Sequence, residues 1–281
     1  MSEPWRRLTD RLNPDAEPEA LFEGVPEHLD GFVRTWVKET LSEEELTTRL
    51  VLRLRLPSSL SAYKVAALGT NDPLQLLEIV DATLSLLPLY GIGVRVPFHV
   101  RVRDLDILLT EGGSAWAVAE DQLSLQRRVD DTAVAAAGAA RAGAASAEAA
   151  GSAADHLKAA WQAAYGISPS PHEAYSQAIK AVESAAHAVV EPNNTMATLG
   201  SMIGVVRNSP AKFKLAIDGG PNGGDPAPLL AMLQLLWQGQ TSRHGAQTVT
   251  RPESQEAAQM AVHLAVTLVQ WFTSGAVVRV P

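Results

Sequence analysis

Helix-opening signatures built around proline constrain the C-terminal part of this chain more than any other feature. Ser170-Pro171-His172-Glu173 places a capping residue, a proline at the first helical position and a glutamate at the third. Tyr175, Ala178, Ile179, Val182, Ala185, Ala186 and Val189 then recur on one face, and Glu191-Pro192 ends the helix. Leu199, Met202, Ile203 and Val206 stripe the next helix, which Asn208 and Pro210 close. Asp225-Pro226 opens a third, with Leu229, Met232, Leu233 and Leu236 inward and Gly239 at its end. Thr250-Arg251-Pro252-Glu253 is a further capping pattern, and the last helix carries Met260, Ala261, Leu264, Leu268, Trp271 and Phe272. Such stripes bury only against one another, so residues 167–281 are expected to form a bundle of about four helices.

The rest of the chain is less uniform. A polar, proline-containing start reads as a loose arm. Leu29, Phe32, Val33, Trp36 and Val37 repeat at helical spacing, and Ser42-Glu43-Glu44-Glu45 is a capping box for a second helix. Asp72-Pro73 starts a third, whose apolar run reaches Leu87 and stops at Pro88. Residues 93–103 alternate strictly, with Val94, Val96, Phe98, Val100 and Val102 on one side, which is the period of a half-buried strand; Pro97 would put it at an edge. After the turn Glu111-Gly112-Gly113-Ser114, residues 115–119 and 123–129 are expected to pair as a small hairpin. Residues 131–166 are alanine-rich with Gly138, Gly143 and Gly151 interspersed. They read as one or two connecting helices that pack closely on small residues, with an unstructured linker as the alternative, anchored by Trp161 and Tyr165 and closed by Gly166 and Pro169. The expected fold is mainly α: an N-terminal helical domain with a small β element over 1–130, the alanine-rich connection, and a C-terminal helical bundle.

Composition narrows the chemistry. The 281 residues include no cysteine, which excludes disulfides, thiolate catalysis, iron–sulfur clusters and the usual structural zinc sites, and fits a reducing cytoplasm. A net charge of −8 argues against a whole-surface affinity for nucleic acid, so any RNA site must be a local basic patch. The opening MSEPWRRLTDRL has no apolar core and does not read as a signal peptide. The most apolar stretch, residues 257–272, contains Gln259, His263 and Gln270 and follows Glu256; it reads as a buried helix rather than a membrane span. Val262, Val266 and Val269 add a second apolar face to that helix, which predicts a homodimer through this domain.

No Gly-x-Ser-x-Gly elbow or His-Glu-x-x-His pair occurs, and the run Gly219-Gly220-Pro221-Asn222-Gly223-Gly224 lacks the Lys-Ser/Thr ending of a phosphate-binding loop. No cofactor or metal is therefore expected. Thr241-Ser242-Arg243-His244-Gly245 is different, because it sets a fixed positive charge beside a group that exchanges protons near neutral pH. That pair suits phosphodiester chemistry, with His244 moving a proton and Arg243 holding phosphate oxygens; a polar turn in which His244 bonds a helix end accounts for it as well. Glu183 borders the apolar stripe of its helix, where it either orients His244 or Arg243 or lies in solvent at the helix edge. His263, among apolar neighbours, reads as a packed histidine, and His187 as a surface one. Arg95, Arg101 and Arg103 would share one face of the extended segment, with Arg127 and Arg128 as further candidates for an RNA-backbone contact or a solvated strand face.

The order Ala178-Ile179-Lys180-Ala181-Val182-Glu183-Ser184, then Thr198-Leu199-Gly200, then Arg243-His244-Gly245, then a long apolar helix resembles the C-terminal domain of bacterial abortive-infection proteins over roughly residues 170–275. That family resembles the wider HEPN group of helical domains. The resemblance implies a HEPN-like bundle, a part in antiviral defence against phage and, as in many HEPN domains, a metal-independent RNase acting as a dimer. His244-Gly245 matches the group's signature histidine, whereas the positions for its arginine hold Trp237, Gln238 and Gly239. Three functions thus stand open: an RNase using His244, Arg243 and Glu183, a non-catalytic dimerisation or interaction module, and a nucleotide or small-ligand sensor using the same pocket.

Overall fold

A computed structural model describes residues 20–41, 44–56, 70, 72–89, 97–217, 224–240 and 251–280. The initial arm, Ser42, Glu43, Arg95, the glycine-rich run up to Gly223, and the turn containing Arg243, His244 and Thr250 lie outside the described residues. Ten α-helices account for most of what is described, with two short two-stranded ribbons, so the protein is mainly α with a small β element. The helices are α1 (Glu27–Thr40), α2 (Glu44–Arg53), α3 (Pro73–Leu86), α4 (Phe98–Glu111), α5 (Asp131–Ser146), α6 (Ala153–Tyr165), α7 (Pro171–Val190), α8 (Leu199–Asn208), α9 (Ala227–Gly239) and α10 (Gln255–Thr273). Strand β1 (Trp116–Val118) pairs with β2 (Leu125–Arg127), as the expected hairpin requires. Strand β3 (Phe213–Leu215) pairs antiparallel with β4 (Val277–Arg279). The chain divides into two compact units, residues 1–125 and 126–281.

In the first unit α1 packs on α3 and α4, and α2 on α3. Leu29, Val33, Trp36 and Val37 of α1 face the core, but Phe32, expected in the same stripe, is 63% exposed. Asp72 caps α3 by accepting from the Leu74 amide at 2.9 Å, with Pro73 in the first position. Burial is the larger influence on Asp81, whose carboxylate accepts from the Leu125 amide at 2.6 Å, and raises its pKa above the usual value.

The expected strand is corrected here: from Phe98 onward the chain is helix α4. Two periodicities share these residues. The alternation of apolar residues ends at Val102, while Val102, Leu105 and Leu109 continue at helical spacing and are the buried positions of the helix. Pro97 is the residue before its first turn. Arg101 and Arg103 consequently cannot share a face, being about 200° apart around the axis. Arg101 pairs with the Glu39 carboxylate at 2.8 Å, tying α4 to α1, and Arg103 lies beside Asp104 at 3.5 Å. Arg127 ends β2 and Arg128 follows it in the second unit.

In the second unit α10 packs on α5, α6 and α7, and α6 on α5 and α7, with α8 and α9 added at the side. The alanine-rich segment, expected as a connection before a boundary at residue 166, instead forms part of this core through Ala137, Ala140, Ala144, Ala153, Ala160 and Ala164. Small side chains let helix backbones approach closely, so alanine here is packing material. Pro171 opens α7 as expected, although Ser170 makes no side-chain cap. The final helix starts later than the Thr250 pattern suggests, because Ser254 is its cap and accepts from the Ala257 amide at 3.2 Å. Its orientation also differs. Val262, Val266 and Val269 are buried in the bundle, while Met260 is 61% exposed, so the surplus apolar face from which a dimer was inferred is used within the chain. Among the described residues no helix is long and apolar enough to cross a membrane.

Candidate functional site

The one sequence-predicted catalytic residue that the structure describes is Glu183, on the C-terminal half of α7. Its Oε1 accepts a hydrogen bond from the Leu199 amide at 2.7 Å, at the first position of α8. That amide is one of the donors a helix start leaves without an intrahelical acceptor, and a carboxylate is a strong partner for it. Thr198 and Ser201 complete the same turn as a capping box, the Ser201 amide donating to Thr198 Oγ1 at 3.3 Å and the Thr198 amide to Ser201 Oγ at 3.0 Å. Gly200 is required by close packing, since a Cβ there would lie 2.7 Å from the Trp237 ring of α9. Glu183 thus joins the first two motifs of the resemblance physically. Arg243 and His244 lie outside the described residues.

Glu183 also lines an open cleft of about 370 Å³ between α6 and α7. Lys180, Ser184 and His187 line it from α7, with Ser152 and His156 opposite and the turn at Gly151 closing one side. The α7 contribution is a polar stripe at helical spacing, the complement of the apolar stripe that faces the core. Gly151 has φ +53° and ψ −127°, a backbone state that side chains disfavour, and this conformation leads into the start of α6.

Both imidazoles of the cleft have their tautomers set by neighbours. Gln177 donates through Nε2 to Glu173 Oε1 at 2.7 Å, which leaves its carbonyl to accept from His156 Nδ1 at 2.7 Å. His187 Nε2 donates to the Asn194 carbonyl at 2.9 Å. In their neutral forms His156 Nε2 and His187 Nδ1 therefore carry the lone pairs, and neither has a partner among the described residues. Lys180 is exposed, with no carboxylate in ion-pair range among the described residues. The Ser152 and Ser184 hydroxyls are 3.4 Å apart. Sequence reading placed His187 on the surface and passed over His156 and Lys180; the available signal was the stripe Gln177, Lys180, Ser184 and His187 on one face of α7.

His263 is the packed histidine expected, its Nε2 2.7 Å from the Tyr165 hydroxyl and its ring edge-on to Trp161. Burial lowers the His263 pKa and raises that of Tyr165. Among the described residues no group of three histidine or acidic side chains is placed to hold a metal ion. Comparison of the chain with protein-family models, curated proteins and solved structures matched none of them.

Proposed function

We propose that the protein is an abortive-infection-type phage-defence protein whose second unit cleaves RNA without a metal ion. In this reading His244 moves the proton, Arg243 holds the phosphate as charge develops, and Glu183 is the acidic residue of the site. The observation that carries it is the 2.7 Å bond from the Leu199 amide to Glu183, which unites two motifs of the resemblance at the edge of a polar cleft. The reading takes a homodimer through the second unit from the resemblance, and RNA as partner with Arg101, Arg103, Arg127 and Arg128 as backbone contacts.

The same bond favours a second reading. Glu183, Thr198, Ser201 and Gly200 all serve helix capping or packing, so these motifs are explained by a non-catalytic helical interaction module as well. Cleavage of total RNA and tRNA by the purified protein in chelator, beside His244→Ala, separates the two. Cleavage lost in the variant supports the RNase. Undiminished cleavage in the variant removes His244 from the chemistry, and intact RNA throughout favours the module. Light scattering at micromolar concentration tests the dimer, which a monomer mass refutes.

A further inference from the structure

We propose that the cleft between α6 and α7 is a binding site for a phosphorylated ribose. Its volume of about 370 Å³ lies at the small end of the range for small-molecule pockets, which suits a single sugar phosphate or mononucleotide. The groups are ordered along α7. Among the described residues Lys180 is the one Lys or Arg in the lining; His187 lies two turns further on, about 10 Å along the axis. Glu183 and Ser184 fall between them.

This order selects the ligand. Lys180 is a donor that suits phosphate oxygens, and the Ser152 and Ser184 hydroxyls add two more groups able to donate. At the other end the lone pair of His187 Nδ1 instead accepts a hydrogen bond, as a sugar hydroxyl can supply. The Glu183 carboxylate offsets the charge of Lys180, so a bare inorganic anion meets little net attraction. A molecule with phosphate at one end and hydroxyls at the other matches both halves. His156 belongs to the Lys180 end, because Gln177, which holds it, lies less than one turn before Lys180.

The test is titration calorimetry of the full chain with ribose 5-phosphate, adenosine monophosphate, ribose, inorganic phosphate and a short 5′-phosphorylated RNA, for wild type, Lys180→Ala and the cleft-filling Ser184→Phe. Circular dichroism confirms that each variant folds. Lys180 is exposed and alanine favours helix, so Lys180→Ala keeps the test open should Ser184→Phe misfold. Ribose 5-phosphate or the mononucleotide is expected to bind wild type, to lose roughly tenfold in affinity in Lys180→Ala and to fail in folded Ser184→Phe. Ribose and inorganic phosphate alone are each expected to bind at least about tenfold more weakly. RNA bound as tightly as the mononucleotide assigns the ligand to an RNA terminus; RNA left unbound assigns it to a free small molecule. The proposal is overturned if no phosphorylated ribose, free or at the RNA terminus, binds wild type at millimolar concentration. It is equally overturned if Lys180→Ala binds unchanged, or if inorganic phosphate binds as tightly as the sugar phosphate. None of these outcomes depends on RNA cleavage, so the site and the RNase can fail separately.

Discussion

Replacing Glu183 separates its structural from its chemical use. Its Oε1 receives the Leu199 amide at 2.7 Å in a partly buried setting at the start of α8. Hydrogen bonds to charged groups contribute about 1.5–3 kcal/mol. The interaction of a carboxylate with a helix start, about 0.3–1 kcal/mol, is part of that figure rather than additional to it. Because Glu183 keeps some solvent contact, Glu183→Ala is expected near the lower end, about 1.5 kcal/mol. Glu183→Gln retains an acceptor and loses only the charge, so about half of that is expected. For a domain of this size each kcal/mol lowers Tm by about 2–4 °C, giving about 3–6 °C for the alanine variant. Two units complicate a global melt, so hydrogen exchange at the Leu199 amide is the cleaner readout. It should speed up strongly in Glu183→Ala and modestly in Glu183→Gln. An unchanged Leu199 exchange rate and an unchanged melt in Glu183→Ala would refute the capping argument. A Glu183→Gln protein that keeps its fold and loses RNA cleavage would show that the charge itself enters the chemistry.

Gly151→Ala is expected to destabilise the second unit by about 1–3 kcal/mol through backbone strain alone, since its φ is +53° and a Cβ there would meet nothing within 4 Å; a melt equal to wild type would show that the turn relaxes freely. His263 has its pKa lowered from 6.5 by burial, so the unfolded chain takes up the proton first as pH falls. The stability this group contributes is complete above pH 6.5 and is lost as pH drops from there through the lowered folded value. Urea unfolding across that range should show a decline that is shallower in His263→Gln; parallel curves for the two proteins would contradict the assignment.

Helix starts were legible because they depend on adjacent residues. Asp72-Pro73 and Pro171 mark the beginnings of α3 and α7 through local chemistry that no distant contact overrides. Positions shared by two patterns were not. Val100 and Val102 fit both a strand and a helix, and only the burial of Leu105 and Leu109 on the same face decides for α4. The valines of α10 show the same limit: a helix apolar nearly all round does not say which face its own bundle takes and which is left for a partner. The cleft was harder still. The polar stripe of α7 is legible as periodicity, but the usual fate of such a stripe is open water, and His187 does lie at the surface. What makes the stripe one wall of a cleft is α6 alongside it, bringing His156 within 2.7 Å of Gln177. That approach follows from alanines packed between the two helices, residues whose smallness made the segment read as a connector. The signal for the site was thus split between a polar face on one helix and small residues on another, and neither points to a ligand until the two are packed together.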